Sequence, residues 1–141
     1  MDNTRIIDPE RLLKILLVED SPPVRYLTRR ALAERKLTGI IFEATDGKEA
    51  LDYILLTEHM PDIILLDMNM PLMDGLEFLQ EYKKLGLHKA HTRIYVLTTT
   101  ITDGIRDKIL NTGIVTNYFE KPLDIEAIGV IMKDLQLKHH N

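Results

Sequence analysis

Three acids draw attention because each follows directly on a short apolar run. Glu19 and Asp20 close Lys14-Ile15-Leu16-Leu17-Val18, and Asp67 closes Ile63-Ile64-Leu65-Leu66. Thr98 follows Arg93-Ile94-Tyr95-Val96-Leu97 in the same way, and Lys121 follows Thr116-Asn117-Tyr118-Phe119-Glu120. Carboxylates gathered in one place repel one another and raise each other's pKa values. Lys121 supplies one compensating charge and a divalent ion the rest. No cysteine or histidine stands at these positions, so the donors are oxygens, a set that suits Mg²⁺. A carboxylate nucleophile beside Mg²⁺, a lysine and a hydroxyl make an apparatus for phosphoryl transfer. Asp67 attacks phosphorus, the cations neutralise charge on the equatorial oxygens, and the product is an aspartyl phosphate.

That chemistry requires the five runs to end at one edge. Runs of four or five apolar residues suit strands buried on both faces of a parallel sheet. Ile40-Ile41-Phe42-Glu43-Ala44 is a further strand of this kind. Between the strands the apolar period changes to that of helices. Ser21 serves as an N-cap with Pro22 and Pro23 in the first turn, and Val24, Leu27, Ala31 and Leu32 recur down to about Arg35. Asp46 to Glu49 reads as a turn, after which Ala50, Leu51, Ile54 and Leu55 mark a helix that closes before Pro61. Gly75 to Leu85 is a third, with Leu76, Leu79 and Tyr82 inward and Gly86 as its stop. Asp103 opens a fourth, with Ile105, Ile109 and Leu110 apolar, and Gly113 ends it. The fifth runs from about Asp124 to Leu137 with Ile128, Ile131 and Leu135 on one stripe. Strands alternating with helices, joined by right-handed crossovers, predict a doubly wound α/β sheet with helices on both faces. All strand carboxyl ends then share one edge, where ligands bind in such folds.

The 141 residues suffice for one domain, placed at 14–137 between an N-terminal extension at 1–13 and a tail at 138–141. A net charge of −4 and a pI near 5.7 argue against a basic nucleic-acid-binding surface. The absence of cysteine excludes disulfides and thiolate metal sites and fits the cytoplasm. No apolar run approaches the ~20 residues of a membrane helix, and Met1 to Arg11 lacks the pattern of a signal peptide. His88 and His91 read as solvated loop residues, and Met68, Met70 and Met73 as packing around the Asp67 loop. Glu19 and Asp20 would also favour the start of the helix they precede, which is compatible with metal binding.

V-E-D (18–20), L-L-D-M-N-M-P-L-M-D-G (65–75), the strand ending in Thr98 and Y-F-E-K-P-L (118–123) together resemble the receiver domain of two-component response regulators. The resemblance spans about residues 14 to 137. It implies a flavodoxin-like (CheY-like) five-stranded sheet in the order 2-1-3-4-5. It implies Asp67 as the phosphoacceptor, Asp20 as a direct Mg²⁺ ligand and Glu19 as one acting through water, with the backbone carbonyl of Asn69 also on the metal. Thr98 corresponds to the switch hydroxyl, with Thr99 as the second choice, and Tyr118 to the switch aromatic. Lys121 corresponds to the lysine that precedes a cis-prolyl bond at Pro122. Glu19 stands where an aspartate is frequent. Asn69 and Thr100 occupy the positions that tune phosphate lifetime.

The resemblance further implies that a histidine kinase or phosphotransfer protein donates the phosphoryl group. A face near helix 4, strand 5 and helix 5 then signals to a protein target. No output domain follows the fifth helix, so the expectation is a stand-alone receiver, monomeric or weakly dimeric. Two rivals share parts of this pattern. A haloacid-dehalogenase-like phosphatase also uses an aspartyl nucleophile but wants an acid two residues on, where this chain has Asn69. A receiver-fold module working without phosphate would not need the complete set of side chains. A flavin binder is opposed by the three acids at the phosphate edge.

Overall fold

The computed structural model describes residues 13–37, 39–57 and 60–137. The extension predicted at 1–13, apart from Leu13, and the tail at 138–141 lie outside the described residues. The elements run β1 (Leu13–Val18), α1 (Pro22–Glu34), β2 (Gly39–Ala44), α2 (Gly47–Leu56), β3 (Ile63–Asp67), α3 (Gly75–Lys84), β4 (Arg93–Thr98), α4 (Asp103–Asn111), β5 (Asn117–Glu120) and α5 (Ile125–Leu137). A single 3-10 turn, Leu87–Lys89, precedes β4. The strands form one parallel sheet in the order β2-β1-β3-β4-β5. Fold class and strand order are those expected.

Alternation along the strands divides the core in two. Ile15, Leu17, Ile63, Leu65, Tyr95 and Leu97 face α1 and α5, where Leu32, Ile128, Ile131 and Leu135 meet them. Leu16, Val18, Ile64, Leu66, Ile94 and Val96 face the opposite way, toward α2, α3 and α4. All of β3 is buried, as expected of a central strand covered on both sides. Because the registers are parallel, Asp67 pairs with Leu97 and Thr98 with Glu120, so these strands end nearly level. Among the described residues no helix is long and apolar enough to cross a membrane.

The helices keep their predicted places but not all their predicted faces. On α1, Leu27 is 55% exposed, whereas Thr28 is 3% exposed. The inward stripe is Val24, Thr28, Ala31 and Leu32, while Leu27 stays largely exposed beside a small cavity that it lines with Val24, Thr28, Lys121 and Pro122. On α3, Phe78 joins Leu79 and Tyr82 in the core while Leu76 is only half-buried. The start of α2 explains this rotation, because Gly47 lies against Phe78 and a Cβ built there would sit 3.0 Å from the Phe78 Cβ. Leu55 and Leu110 point to solvent. Asp46 to Glu49 is not a separate turn. Asp46 is the N-cap of α2, its Oδ1 accepting from the Glu49 N–H at 2.8 Å. The stops at Gly86 and Gly113 are as predicted, each adopting positive φ just past a helix.

Candidate functional site

The connections that carry the acids leave the carboxyl edge of the sheet, and each is held by local bonds. The β1–α1 connection carries Glu19 and Asp20. The Glu19 N–H donates to the Ala44 carbonyl at 2.9 Å, which extends the β1–β2 ladder one step beyond the strands. Ser21 caps α1 through its side chain, and its own N–H donates to Glu19 Oε2 at 3.2 Å. The β3–α3 connection carries Asp67 and Asn69. It folds back tightly, the Gly75 N–H donating to the Met68 carbonyl at 3.1 Å. A Cβ at Gly75 would lie 2.5 Å from the Asp67 carbonyl oxygen, so the turn has no room for a side chain. A capping box then starts α3, with Asp74 and Glu77 each accepting the other's N–H. Met68, Met70 and Met73 pack around this loop against the core, as expected.

These connections bring the acids together. One carboxylate oxygen from each of Glu19, Asp20 and Asp67 lies within 4.8 Å of the other two. Glu19 and Asp67 are each 2% exposed, while Asp20 opens to solvent. From the β5–α5 connection, Lys121 Nζ reaches Glu19 Oε1 at 2.8 Å and Asp67 Oδ1 at 3.0 Å. The Asn69 N–H donates to Asp67 Oδ1 at 3.2 Å. The Lys121–Pro122 peptide bond is cis. The Lys121 N–H donates to the Thr98 carbonyl at 2.8 Å, which ties the lysine's backbone to the end of β4.

Thr98 is buried, the last residue of β4, whereas Thr99 and Thr100 are exposed. Tyr118 is half-buried on β5, paired with Val96 and packed toward the α2–α3–α4 side. Strand alternation gives Val96, Thr98 and Tyr118 the same sheet face. His88 and His91 are exposed and stand apart from the acid group.

Burial is the largest influence on Glu19 and raises its pKa. The nearby Asp67 charge adds to the rise, while Lys121 and the Ser21 N–H oppose it. For Lys121, burial alone would lower the pKa. Hydrogen bonds and charge attraction from Glu19 and Asp67 outweigh it, and the ammonium is held more firmly than usual.

Arg25 was not singled out from the sequence. Its guanidinium Nη1 donates to the Glu19 carbonyl at 2.8 Å, and its Nε lies 3.3 Å from Glu43 Oε1. It therefore braces the acidic loop against β2. No sequence pattern distinguishes it from Arg29 or Arg30 on the same helix.

The family model for the response regulator receiver domain matches residues 15–133. The chain belongs to the response regulator receiver family. The receiver is 32% identical over 140 residues to the probable methanogenesis regulatory protein FilR2 of Methanothrix harundinacea, covering 96% of this chain and 89% of that one. It is 32% identical over 126 residues to sporulation initiation phosphotransferase F of Bacillus subtilis, covering 89% and 95%. Among solved structures, a two-component response regulator from Legionella pneumophila superposes with a TM-score of 0.77 at 26% identity, covering 89% of this chain and 98% of that one. The receiver is thus a signalling domain of the response-regulator kind rather than a conventional enzyme.

Proposed function

We propose that this receiver accepts a phosphoryl group on Asp67 from a histidine kinase or phosphotransfer protein and signals through a phosphorylation-dependent protein contact. The observation that carries this reading is the shared lysine. Lys121 bridges Glu19 and Asp67 at 2.8 and 3.0 Å, with the Asp20 carboxylate alongside. In the reaction an Asp67 carboxylate oxygen forms a bond to phosphorus as the phosphorus–nitrogen bond to the donor imidazole breaks. The imidazole nitrogen keeps the electron pair and takes up a proton. Attack of water on the aspartyl phosphate later releases inorganic phosphate and returns the carboxylate.

The donor set fits Mg²⁺: three carboxylates converge, no nitrogen or sulfur ligand is among them, and Asp20 keeps one side open to water. Asp20, Asp67 and the backbone carbonyl of Asn69 would hold the ion, with Glu19 acting through water. When bound, Mg²⁺ neutralises charge on the phosphoryl oxygens. Lys121, 3.0 Å from Asp67 Oδ1, adds a second positive charge for those oxygens and orients Asp67 as a nucleophile. Thr98, hidden at the end of β4, is the hydroxyl that turns to the phosphoryl group. Tyr118 follows it inward on the shared face. Exposed Thr99 lacks this enclosed position, which favours Thr98 of the two.

The contact face is α4–β5–α5. Leu110 on α4 and Ile125 and Val130 on α5 are large apolar side chains left exposed there, as a docking surface would require. The receiver works in the cytoplasm as a monomer or weak homodimer, with residues 14–137 as the functional unit. Labelling with a small-molecule phosphodonor and Mg²⁺ tests the proposal. Wild type should gain one acyl phosphate by intact-mass measurement and Asp67→Asn none. Equal labelling of both proteins, or none of either, overturns it.

A further inference from the structure

Away from the acid pocket, a groove of about 500 Å³ lies between α3 and α4. Leu76, Leu79, Lys83 and Lys84 line it from α3 and Lys108 from α4, and no carboxylate lines it. On α3 these residues follow the spacing of a single helical stripe. Glu77 and Glu81 do not line the groove, and Glu77 is engaged in the capping box. On α4, Asp103 and Asp107 are engaged by Arg106. Lys83 Nζ donates to the Thr112 carbonyl at 2.8 Å and so closes the end of α4. Lys84 and Lys108 make no ion pair among the described residues. On a chain of net charge −4, this is a local concentration of cations around an apolar lining.

We infer that the α3–α4 groove docks an acidic protein segment, one apolar side chain seated on the half-buried Leu76 with flanking carboxylates paired to Lys84 and Lys108. The inference goes beyond the phosphoacceptor reading and does not depend on it. Charge complementarity names the sign of the partner, and the geometry selects a peptide over a compact anion. Phosphate sites use helix N-termini and their free N–H groups. Here the lysines lie toward the C-terminal turns of both helices, whose dipoles oppose a dianion close by. Long lysine stems reaching outward suit carboxylates spread along a segment.

The experiment is an amide chemical-shift titration of the full 141-residue chain with a synthetic peptide of glutamates flanking one leucine. Saturable shifts at Lys83 to Leu85 and Lys108 to Thr112 are expected, weakened by added salt. The double variant Lys84→Glu/Lys108→Glu should bind about tenfold more weakly. Both side chains are exposed, so the variant should still unfold in one cooperative thermal transition, its midpoint lowered only by the acids at two helix C-termini. Equal binding by wild type and variant, or shifts confined to another surface, overturns the inference. So does inorganic phosphate saturating the same amides in the same concentration range, because that would make the groove a small-anion site. A glutamate peptide lacking the leucine that binds equally well would remove the apolar anchor and with it the inference.

Discussion

Lys121 and Glu19 come from opposite ends of the chain, yet their charged atoms lie 2.8 Å apart, and the same ammonium stands 3.0 Å from Asp67. One cation thus serves two carboxylates that are each 2% exposed. Removing one member of a buried ionic group leaves the others uncompensated, which costs far more than an exposed pair contributes. Lys121→Met should destabilise the receiver by about 3 kcal/mol at neutral pH without Mg²⁺. Urea unfolding with and without Mg²⁺ would measure this. The deficit should shrink when the ion is added. A loss no larger than that of a surface lysine would show that the two acids do not depend on Lys121.

Glu19 should give any Mg²⁺ effect on stability its pH dependence. Its pKa is raised in the fold, chiefly by burial and then by Asp67, so folding favours the protonated form. That contribution is fully present below the ordinary carboxyl range and is lost as pH rises through the folded value. Mg²⁺ should therefore stabilise the receiver most at neutral pH and lose its effect in acid. At a hundredfold excess over its dissociation constant, the gain is about 2.7 kcal/mol. A thermal-shift series in Mg²⁺ at acid and neutral pH would measure it. Asp20→Asn should abolish most of the gain, and an undiminished gain in that variant would remove Asp20 from the ligand set.

Arg25 holds the acidic loop from behind, by its 2.8 Å bond to the Glu19 carbonyl and its pairing with Glu43. Second partners of this kind orient metal ligands, and their loss costs ~10-fold or more in affinity. Arg25→Ala should weaken Mg²⁺ binding by about tenfold while all three acids remain. Calorimetric titration of Mg²⁺ into both proteins would read this. Unchanged affinity would reduce Arg25 to a surface brace between α1 and β2.

Tyr95 is fully buried on β4, and its hydroxyl donates to Asp134 Oδ2 on α5 at 2.9 Å. Burial pushes its pKa strongly upward, and the Asp134 bond and charge add to the rise. The fold therefore requires the neutral phenol. Its contribution is intact below the ordinary tyrosine value of about 10 and is lost above it, as the unfolded chain ionises first. Tyr95→Phe should make the alkaline fall in stability shallower. At neutral pH it should cost about 1 kcal/mol for the lost bond. Denaturation midpoints across the alkaline range would show both effects. An unchanged alkaline slope would place the sensitivity in Tyr82, which is also buried with its pKa raised.

By itself the chain's order of residues determined the sheet, the succession of elements and the edge at which Glu19, Asp20, Asp67, Thr98 and Lys121 would gather. Short apolar runs ending in polar residues are local signals, and parallel topology turns five such endings into one edge. Tertiary packing alone decided which helix faces are buried. Leu27 and Thr28 are adjacent, and only the seating of α1 on the sheet buries the threonine and leaves the leucine largely exposed. Phe78 enters the core because Gly47 of α2 lies against it. Arg25 acquires its task, and the lysines of α3 and α4 their common groove, through approaches between distant segments. Helical periodicity is blind to these contacts, because it records which residues share a side of one element and not what that side will meet.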